Sequence, residues 1–326
     1  MKKQTVLAHS DVALIKYWGK KDVATQLPEN SSVSVALNGL DTITTVEFDD
    51  KLLADDIVIQ GSREAKEVER VVLHLERIRN LAQIKTYAKV VSKNTFPKAT
   101  GLSSSGSGFA ALTLAAIGAL ELKLSPKEIS ILARKASGTA CRCVMGGFIK
   151  WLAGDTSSSS YSKTIFDENY WDIRDVIAIV DFDKKKVSSS EGHLSAHSSP
   201  FYQVRLQRIP SKIKKIKQYI NDKDFSSFGK LIESEALEFH SILLTSKPPL
   251  IAWYPGTIAV MNLVQEMRKQ GIEAYFTINT GFNVHILTLP QFVDEVQKRV
   301  SSLSFVRDVM KATVGGFPQK LDTHLF

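Results

Sequence analysis

Residues 96–116 read FPKATGLSSSGSGFAALTLAA. Pro97 interrupts regular structure, small residues run from Gly101 to Gly108, and an Ala/Leu-rich helix is expected to start at Phe109. Small side chains let backbone N–H groups approach an anion closely, and a helix N-terminus adds unsatisfied donors and a positive dipole. Serine hydroxyls can add hydrogen bonds or help to hold a magnesium ion. A flexible linker is the plain alternative, but linkers do not normally abut a tightly packed apolar helix. The glycines are not followed by Gly-Lys-Ser/Thr and lack GxGxxG spacing, so neither of those phosphate motifs applies. The stretch reads as a phosphate-binding loop feeding a helix.

Outward from it, IKTYAKVVSKNTF (84–96) reads as a strand leading into the loop. Before that, EAKEVERVVLHLERIRNLA (64–82) carries Val68, Val71, Val72, Leu75 and Ile78 on one helical face. DTITTVEF (41–48) alternates as a half-exposed strand. Downstream, Ser125 and Pro126 fit the N-cap and first position of a helix, and VIAIVDF (176–182) is a buried strand. The polar tract GDTSSSSYS (154–162) is expected to be a mobile loop. Helices are expected at 211–220, 224–240 and 256–269. A strand pair within AYFTINTGFNVHIL (274–287) and a last helix in PQFVDEVQKRVSSL follow. Strands and helices interleave without a βαβ rhythm, which favours an α+β fold in two domains, residues 1–185 and 186–326.

The 326 residues suffice for two domains, and 44% apolar with 23% charged residues is the composition of a soluble globular protein. The longest apolar run, Phe109–Leu120, is too short to span a bilayer, and no signal peptide is read at the N-terminus. Cys141 and Cys143 flank Arg142 and cannot supply a four-ligand metal site; a reducing cytoplasm is expected. The net charge of +8 raises nucleic-acid binding. However, its densest run, SKIKKIKQYINDKD (211–224), spaces isoleucines as a surface helix does and interleaves no aromatics for base stacking. Anionic small molecules are the better reason for local positive charge.

SDVALIKYWGKKD (10–22) delivers Lys16, Lys20 and Lys21, with Tyr17 and Trp18, from an apolar strand to a turn at Gly19. Such a cluster is either a solvated strand end or a clamp for a carboxylate or phosphate. In ASGTACRCVMGGFIKW (136–151), Arg142 sits among small residues and needs an anionic partner, from the protein or from a ligand. KKKVSSSEGHLS (184–195) puts serines beyond a strand end. His193 and His197 are four apart, but no third metal ligand has suitable spacing.

ALIKYWGKKD, LPENSSVSVAL, NTFPKATGLSSSGSGFAAL, ASGTACRCVMGGF and FTINTGFNVHIL, in this order, resemble the diphosphomevalonate decarboxylases. These belong to the galactokinase, homoserine kinase, mevalonate kinase and phosphomevalonate kinase superfamily. The resemblance runs from about residue 8 to about residue 290. It implies a two-domain α+β small-molecule kinase fold with the active site in the interdomain cleft, ATP and Mg2+ as cofactors, and a homodimer. The implied reaction phosphorylates the 3-hydroxyl of mevalonate 5-diphosphate, then loses phosphate and carbon dioxide to give isopentenyl diphosphate. The implied ATP-phosphate cradle is Gly101, Ser103, Ser104, Ser105, Gly106, Ser107 and Gly108, with Ser105 as a magnesium ligand. Lys16, Tyr17 and Lys20 would line the substrate side, Arg142 would hold the substrate carboxylate, Ser137 and Thr139 would bond nearby, and Ser189 would contact the diphosphate.

The chain departs from the family at one telling point. Where the family turn reads Asp-Ala-Gly-Pro-Asn, this chain reads Asn279-Thr280-Gly281-Phe282-Asn283. The family aspartate is its central catalytic acid, and an amide can neither take a proton usefully nor stabilise positive charge as a carboxylate does. Three readings stand: a decarboxylase substituted at this position, a relative that only phosphorylates, or a phosphomevalonate decarboxylase, the branch that LIAWYPGT (250–257) faintly resembles. Lys16, Arg142 and Ser189 favour a decarboxylase scaffold, impaired in releasing carbon dioxide.

Overall fold

The computed structural model describes residues 2–97, 101–182 and 189–326, and of residues 189–191 the backbone alone. The strands are β1 Lys3–Ile15, β2 Lys20–Asp22, β3 Leu27–Pro28, β4 Ser32–Phe48, β5 Asp56–Ile59, β6 Ala88–Asn94, β7 Phe148–Trp151, β8 Ser162–Phe166, β9 Arg174–Ile179, β10 Ala274–Thr277, β11 Val284–Thr288, β12 Asp308–Val314 and β13 Gln319–Leu321. The helices are α1 Ala65–Ala82, α2 Ser104–Ala119, α3 Pro126–Ala136, α4 Ala140–Cys143, α5 Ser189–Ser195, α6 Tyr202–Asp222, α7 Phe225–Thr245, α8 Pro255–Lys269 and α9 Val293–Ser301.

One mixed sheet runs β10-β11-β9-β12-β4-β1-β13, with β6 and β7 also on β4, β5 beside β6, and β8 beside β7. The long strand β4 serves two sets of neighbours. Its second half, from Thr42 to Phe48, pairs with β6, and its first half pairs with β7 and, at Leu37 and Asn38, with β12. The change falls at the bulge where the partner of β1 jumps from Asp41 to Leu37. β1 accompanies β4 across that bulge and so belongs to two cores. Val6 and Ala8 pack under α1, α2 and α3, whereas Val12, Leu14 and Ile15 pack with α6 and α7. A third core lies between β9–β11 and the helices α8 and α9. β1 therefore ends where the two halves meet, and Lys16, Tyr17 and Trp18 follow it into the space between them.

Several expectations are revised by packing. α2 begins at Ser104, five residues before Phe109, so most of the Ser/Gly run is the first turn of the helix and not a loop before it. α6 begins at Tyr202 and passes through Pro210, because Tyr202, Arg205, Ile209, Ile213, Ile216 and Ile220 form one continuous buried stripe. Burial along that stripe outweighs the hydrogen bond that proline forfeits. Lys212, read as part of a solvated basic face, is buried against Glu235 and Glu238. Residues 154–162 are closed by their own bonds: the hydroxyl of Ser159 accepts from the N–H groups of Asp155 and Thr156. The chain does not finish on a helix either, since β12 and β13 return it to the middle and edge of the sheet. α3 has the Ser125 cap read from sequence, completed by Glu128 as a capping box.

Candidate functional site

β1 positions the site from below through Asp11, a buried carboxylate just ahead of the apolar run at residues 12–15. Its Oδ2 accepts from Nε of Arg142 at 2.6 Å and its Oδ1 from the hydroxyl of Ser103 at 3.1 Å. Ser10 next to it donates to the carbonyl of Leu102 at 2.7 Å. β1 thus ties down both ends of the Leu102–Ser103 turn. Ser103 adopts the left-handed conformation at the N-cap of α2, which turns the chain sharply into the helix.

The first turn of α2 is a mixed surface. Gly101, Ser103, Ser104, Ser105 and Gly108 line a cavity of about 720 Å3. Ser107 is turned the other way, its hydroxyl 2.7 Å from that of Thr42 in the core. Gly106 also faces protein: a Cβ there would meet Thr139 Oγ1 at 2.9 Å, Ser103 Oγ at 3.0 Å and Cys143 Sγ at 3.0 Å. The expected cradle therefore divides into groups that face the cavity and two, Gly106 and Ser107, that pack the helix in place. Ser105 bonds Ser137 through their hydroxyls at 3.1 Å, and Ser137 and Thr139 both line the cavity.

Opposite, Lys16 is buried, and its Nζ donates to the carbonyl of Ala13 at 2.7 Å and to Oδ1 of Asn279 at 3.0 Å. Burial, aided by the positive charge of Arg142 and opposed by Glu235, lowers its pKa to about 7. Asn279 also directs its Nδ2 toward the carbonyl of Gly101 at 3.5 Å, so the amide bridges the lysine and the Gly101 turn. The two turns touch, because a Cβ at Gly101 (φ +96°) would lie 2.7 Å from Gly281 Cα. His240 Nε2 donates to the carbonyl of Asn279 at 3.0 Å, and burial holds the imidazole neutral with a pKa near 3.

Arg142, whose anionic partner the sequence leaves open, pairs with Asp11 and also donates from Nη1 to Ser32 at 3.0 Å, yet it still lines the cavity. Tyr17 lies between Trp151 and His193, its hydroxyl buried without a partner among the described residues and its ring on the cavity wall. Lys20 faces the same space, its pKa lowered to about 8 by partial burial and by Arg70. Ser189 opens α5, and its side chain, like residues 184–188, lies outside the described residues. His193 accepts from the N–H of Gly19 at 3.0 Å and His197 meets Glu29, so the pair is spread over different partners. Among the described residues, no three His, Cys, Asp or Glu side chains are grouped to hold a metal.

Sequence reasoning missed the support beneath these groups. Glu235 of α7 accepts from the Lys16 N–H at 3.0 Å and from Arg205 at 2.6 Å, and Arg205 donates to the Lys16 carbonyl at 3.0 Å. Arg70 and Lys66 of α1, with Ile59, Val71, Val90 and Leu112, form a further arm of the cavity. A charged residue next to an apolar strand run, as at Asp11, or inside a helix stripe, as at Arg205 and Glu235, is the signal that could have found the support.

Comparison with known proteins adds to this geometry. Residues 8–162 match the diphosphomevalonate decarboxylase-like N-terminal domain, and residues 175–322 match the mevalonate 5-diphosphate decarboxylase C-terminal domain. The boundary between these matches precedes β9, whose pairing partners β11 and β12 lie in the second. A phosphomevalonate decarboxylase of Haloferax volcanii is 33% identical over 322 residues, covering 98% of both chains. The mevalonate diphosphate decarboxylase structure from Staphylococcus aureus superposes with a TM-score of 0.93 at 35% identity, covering 98% of both chains. A complex of MDDEF with MVAPP, AMPPCP and magnesium gives 0.92 at 35% identity, covering 98% of this chain and 99% of that one. With two domain models matched in order and near full-length relatives at this identity, the chain belongs to the mevalonate diphosphate decarboxylase family of the galactokinase, homoserine kinase, mevalonate kinase and phosphomevalonate kinase superfamily.

Proposed function

We propose that this chain binds ATP and mevalonate 5-diphosphate in the 720 Å3 cavity and phosphorylates the tertiary 3-hydroxyl, with the later loss of carbon dioxide impaired. The observation that carries this reading is the amide at residue 279, set between Lys16 and the Gly101 turn where the family carries its carboxylate. The start of α2 offers donors and a positive dipole to the ATP phosphates through Ser103, Ser104, Ser105 and Gly108. The arm between Ile59, Val71, Val90 and Leu112, with Arg70 and Lys66 at its rim, suits a base and ribose. Tyr17 offers a hydroxyl without a partner among the described residues, Lys20 and Arg142 offer positive charge to the substrate's carboxylate and phosphates, and Lys16 lines the same space. Ser189, at the start of α5, completes the diphosphate side in the same proposal.

The residues present fit magnesium only as a companion of the nucleotide, since hydroxyls and no carboxylate cluster face the phosphate end among the described residues. Ser105 would supply the protein oxygen, and the ion's chemistry there is to neutralise charge on the transferred phosphoryl group. The MDDEF complex with AMPPCP and magnesium supports use of the ion together with a nucleotide. Phosphoryl transfer depends mainly on positioning and electrostatics and so tolerates loss of a carboxylate. Decarboxylation depends on stabilising positive charge at C3, which an amide dipole does poorly. A homodimer belongs to the same proposal. So does the alternative of a 5-monophosphate substrate, which the Haloferax relative favours.

The test incubates the protein and Asn279→Asp with ATP and either mevalonate 5-diphosphate or 5-phosphate. ADP, carbon dioxide and 3-phosphorylated product are followed separately. The expected result is ADP and 3-phosphorylated product from the native chain, with carbon dioxide release rising about 100-fold or more in Asn279→Asp. No gain with either substrate would sink the decarboxylase scaffold.

A further inference from the structure

We propose that in this chain the side-chain amine of Lys16 is the proton acceptor for the substrate hydroxyl, with Asn279 as the residue that positions it. The proposal rests on the phosphorylation reading above and deepens it.

The hydrogen-bond count at Nζ is the first observation. Among the described residues Nζ has two acceptors, the carbonyl of Ala13 at 2.7 Å and Oδ1 of Asn279 at 3.0 Å. A neutral primary amine has two N–H groups and one lone pair. Donating both protons to these acceptors leaves the lone pair available on the side chain that lines the cavity. An ammonium would carry a third proton, and among the described residues no carboxylate lies within ion-pair distance of Nζ to receive it. A buried ammonium without a direct counter-charge is costly, so the neutral form is favoured.

Charged groups on every element around Lys16 act on the same balance. Arg142 on α4 and Arg205 on α6 repel a second positive charge, while Glu235 on α7 and Asp11 on β1 favour it. Burial is the largest influence and leaves the lysine titrating near 7, where a base is best matched to neutral pH. His240, also on α7, is no competitor: it is neutral, and its Nε2 proton is given to the Asn279 carbonyl. From the β10–β11 turn, residue 279 contributes no charge. A carboxylate there would pair with Nζ and hold it as an ammonium, so the same change that removes the acid creates a free amine.

Neutral Lys16 takes the proton of the tertiary hydroxyl while the hydroxyl oxygen forms its bond to the γ-phosphorus. The bond between that phosphorus and the β–γ bridging oxygen breaks, and its electron pair leaves with ADP. The resulting ammonium returns its proton to water when the products depart.

The test follows ADP formation with mevalonate 5-diphosphate from pH 5.5 to 9.5 in the native chain, Lys16→Arg and Asn279→Asp. Nuclear magnetic resonance titration of lysine methylenes, with Lys16→Arg as the assignment control, reads the amine independently of turnover. The native rate should rise with a midpoint near 7 that coincides with the titration of Lys16. Lys16→Arg keeps positive charge but cannot accept the proton, and should lose about 100-fold in rate with no limb near 7. Asn279→Asp should move the lysine midpoint upward by at least about one pH unit. A flat native profile, a lysine that titrates near its ordinary value, or Lys16→Arg within about threefold of native overturns the base assignment while ATP turnover itself stands. Absence of ADP formation with every mevalonate derivative overturns the reaction, and the base assignment with it.

Discussion

Gly101 is a residue at which the two turns of the site touch. Its φ of +96° lies in the region that a side chain rarely adopts, and its Cα hydrogens face the backbone of Gly281. A methyl group there cannot be absorbed by moving a flexible side chain, because the obstacle is main chain at 2.7 Å. Gly101→Ala is therefore expected to push its own turn off the 279–283 turn and break the Asn279 bridge. The expected outcome is a tenfold or greater rise in the KM for ATP, with thermal stability lowered by about 1–3 kcal/mol. Steady-state kinetics and denaturation together check this. The sequence marks Gly101 as part of a phosphate-binding stretch, but its contact is 180 residues away along the chain. Only the tertiary fold brings the two together.

At the scale of elements, α6 and α7 do more than cover the sheet. Arg205, Glu235 and Lys212 form a buried network that grips the Lys16 backbone from both sides, through its N–H and its carbonyl. Asn30 assists by donating to the same carbonyl at 2.9 Å. Breaking such a network by removing one charge strands the others, which costs about 3–5 kcal/mol for a fully buried pair. Glu235→Gln keeps the shape but leaves Arg205 and Lys212 with Glu238 alone, so the denaturant midpoint should fall by that order. Since Glu235 also holds the Lys16 pKa up, the same variant should shift the rising limb of the pH–rate profile to lower pH. A change in stability with an unmoved limb would separate the structural role from the electrostatic one. The stripe of α6 is legible in sequence from its isoleucines. The ionic members of that stripe are not, because nothing local says whether an arginine or lysine at a stripe position is buried with a partner or swings out to water.

For the whole molecule, two buried histidines link folding to pH. His74 sits between α1 and α2 with its Nε2 2.8 Å from the Thr113 hydroxyl, and His240 supports the cavity wall at Asn279. Burial lowers both pKa values to about 3, against an ordinary value of 6.5. As pH falls below about 6.5 the unfolded chain binds protons at these positions and the folded chain does not. Their contribution to stability is thus complete above 6.5 and is lost progressively toward pH 3, with a slope of up to about 1.4 kcal/mol per pH unit for each group. Urea midpoints measured from pH 7.5 to 4.5 should fall accordingly, and His74→Asn should reduce the slope. An unchanged slope in that variant would rule out His74 as a contributor.

The sequence by itself determined the kinds of chemistry present. It marked a Ser/Gly stretch ahead of an apolar helix, lysines at a strand end, an arginine among small residues, and an amide where the family has an acid. These are local features, fixed by residue type and by the short-range geometry of turns and helix ends. Tertiary structure decided which of those groups act together. It turned Ser107 and Gly106 inward, gave Arg142 to Asp11, and extended α6 through a proline. It also returned the last strands to the sheet and set Lys16 against Asn279. The physical reason is common to all of them: whether a polar group is paired, buried or presented to a ligand depends on neighbours far along the chain. Those neighbours are set by burial of the cores on either side of β1 and not by the residues next to it.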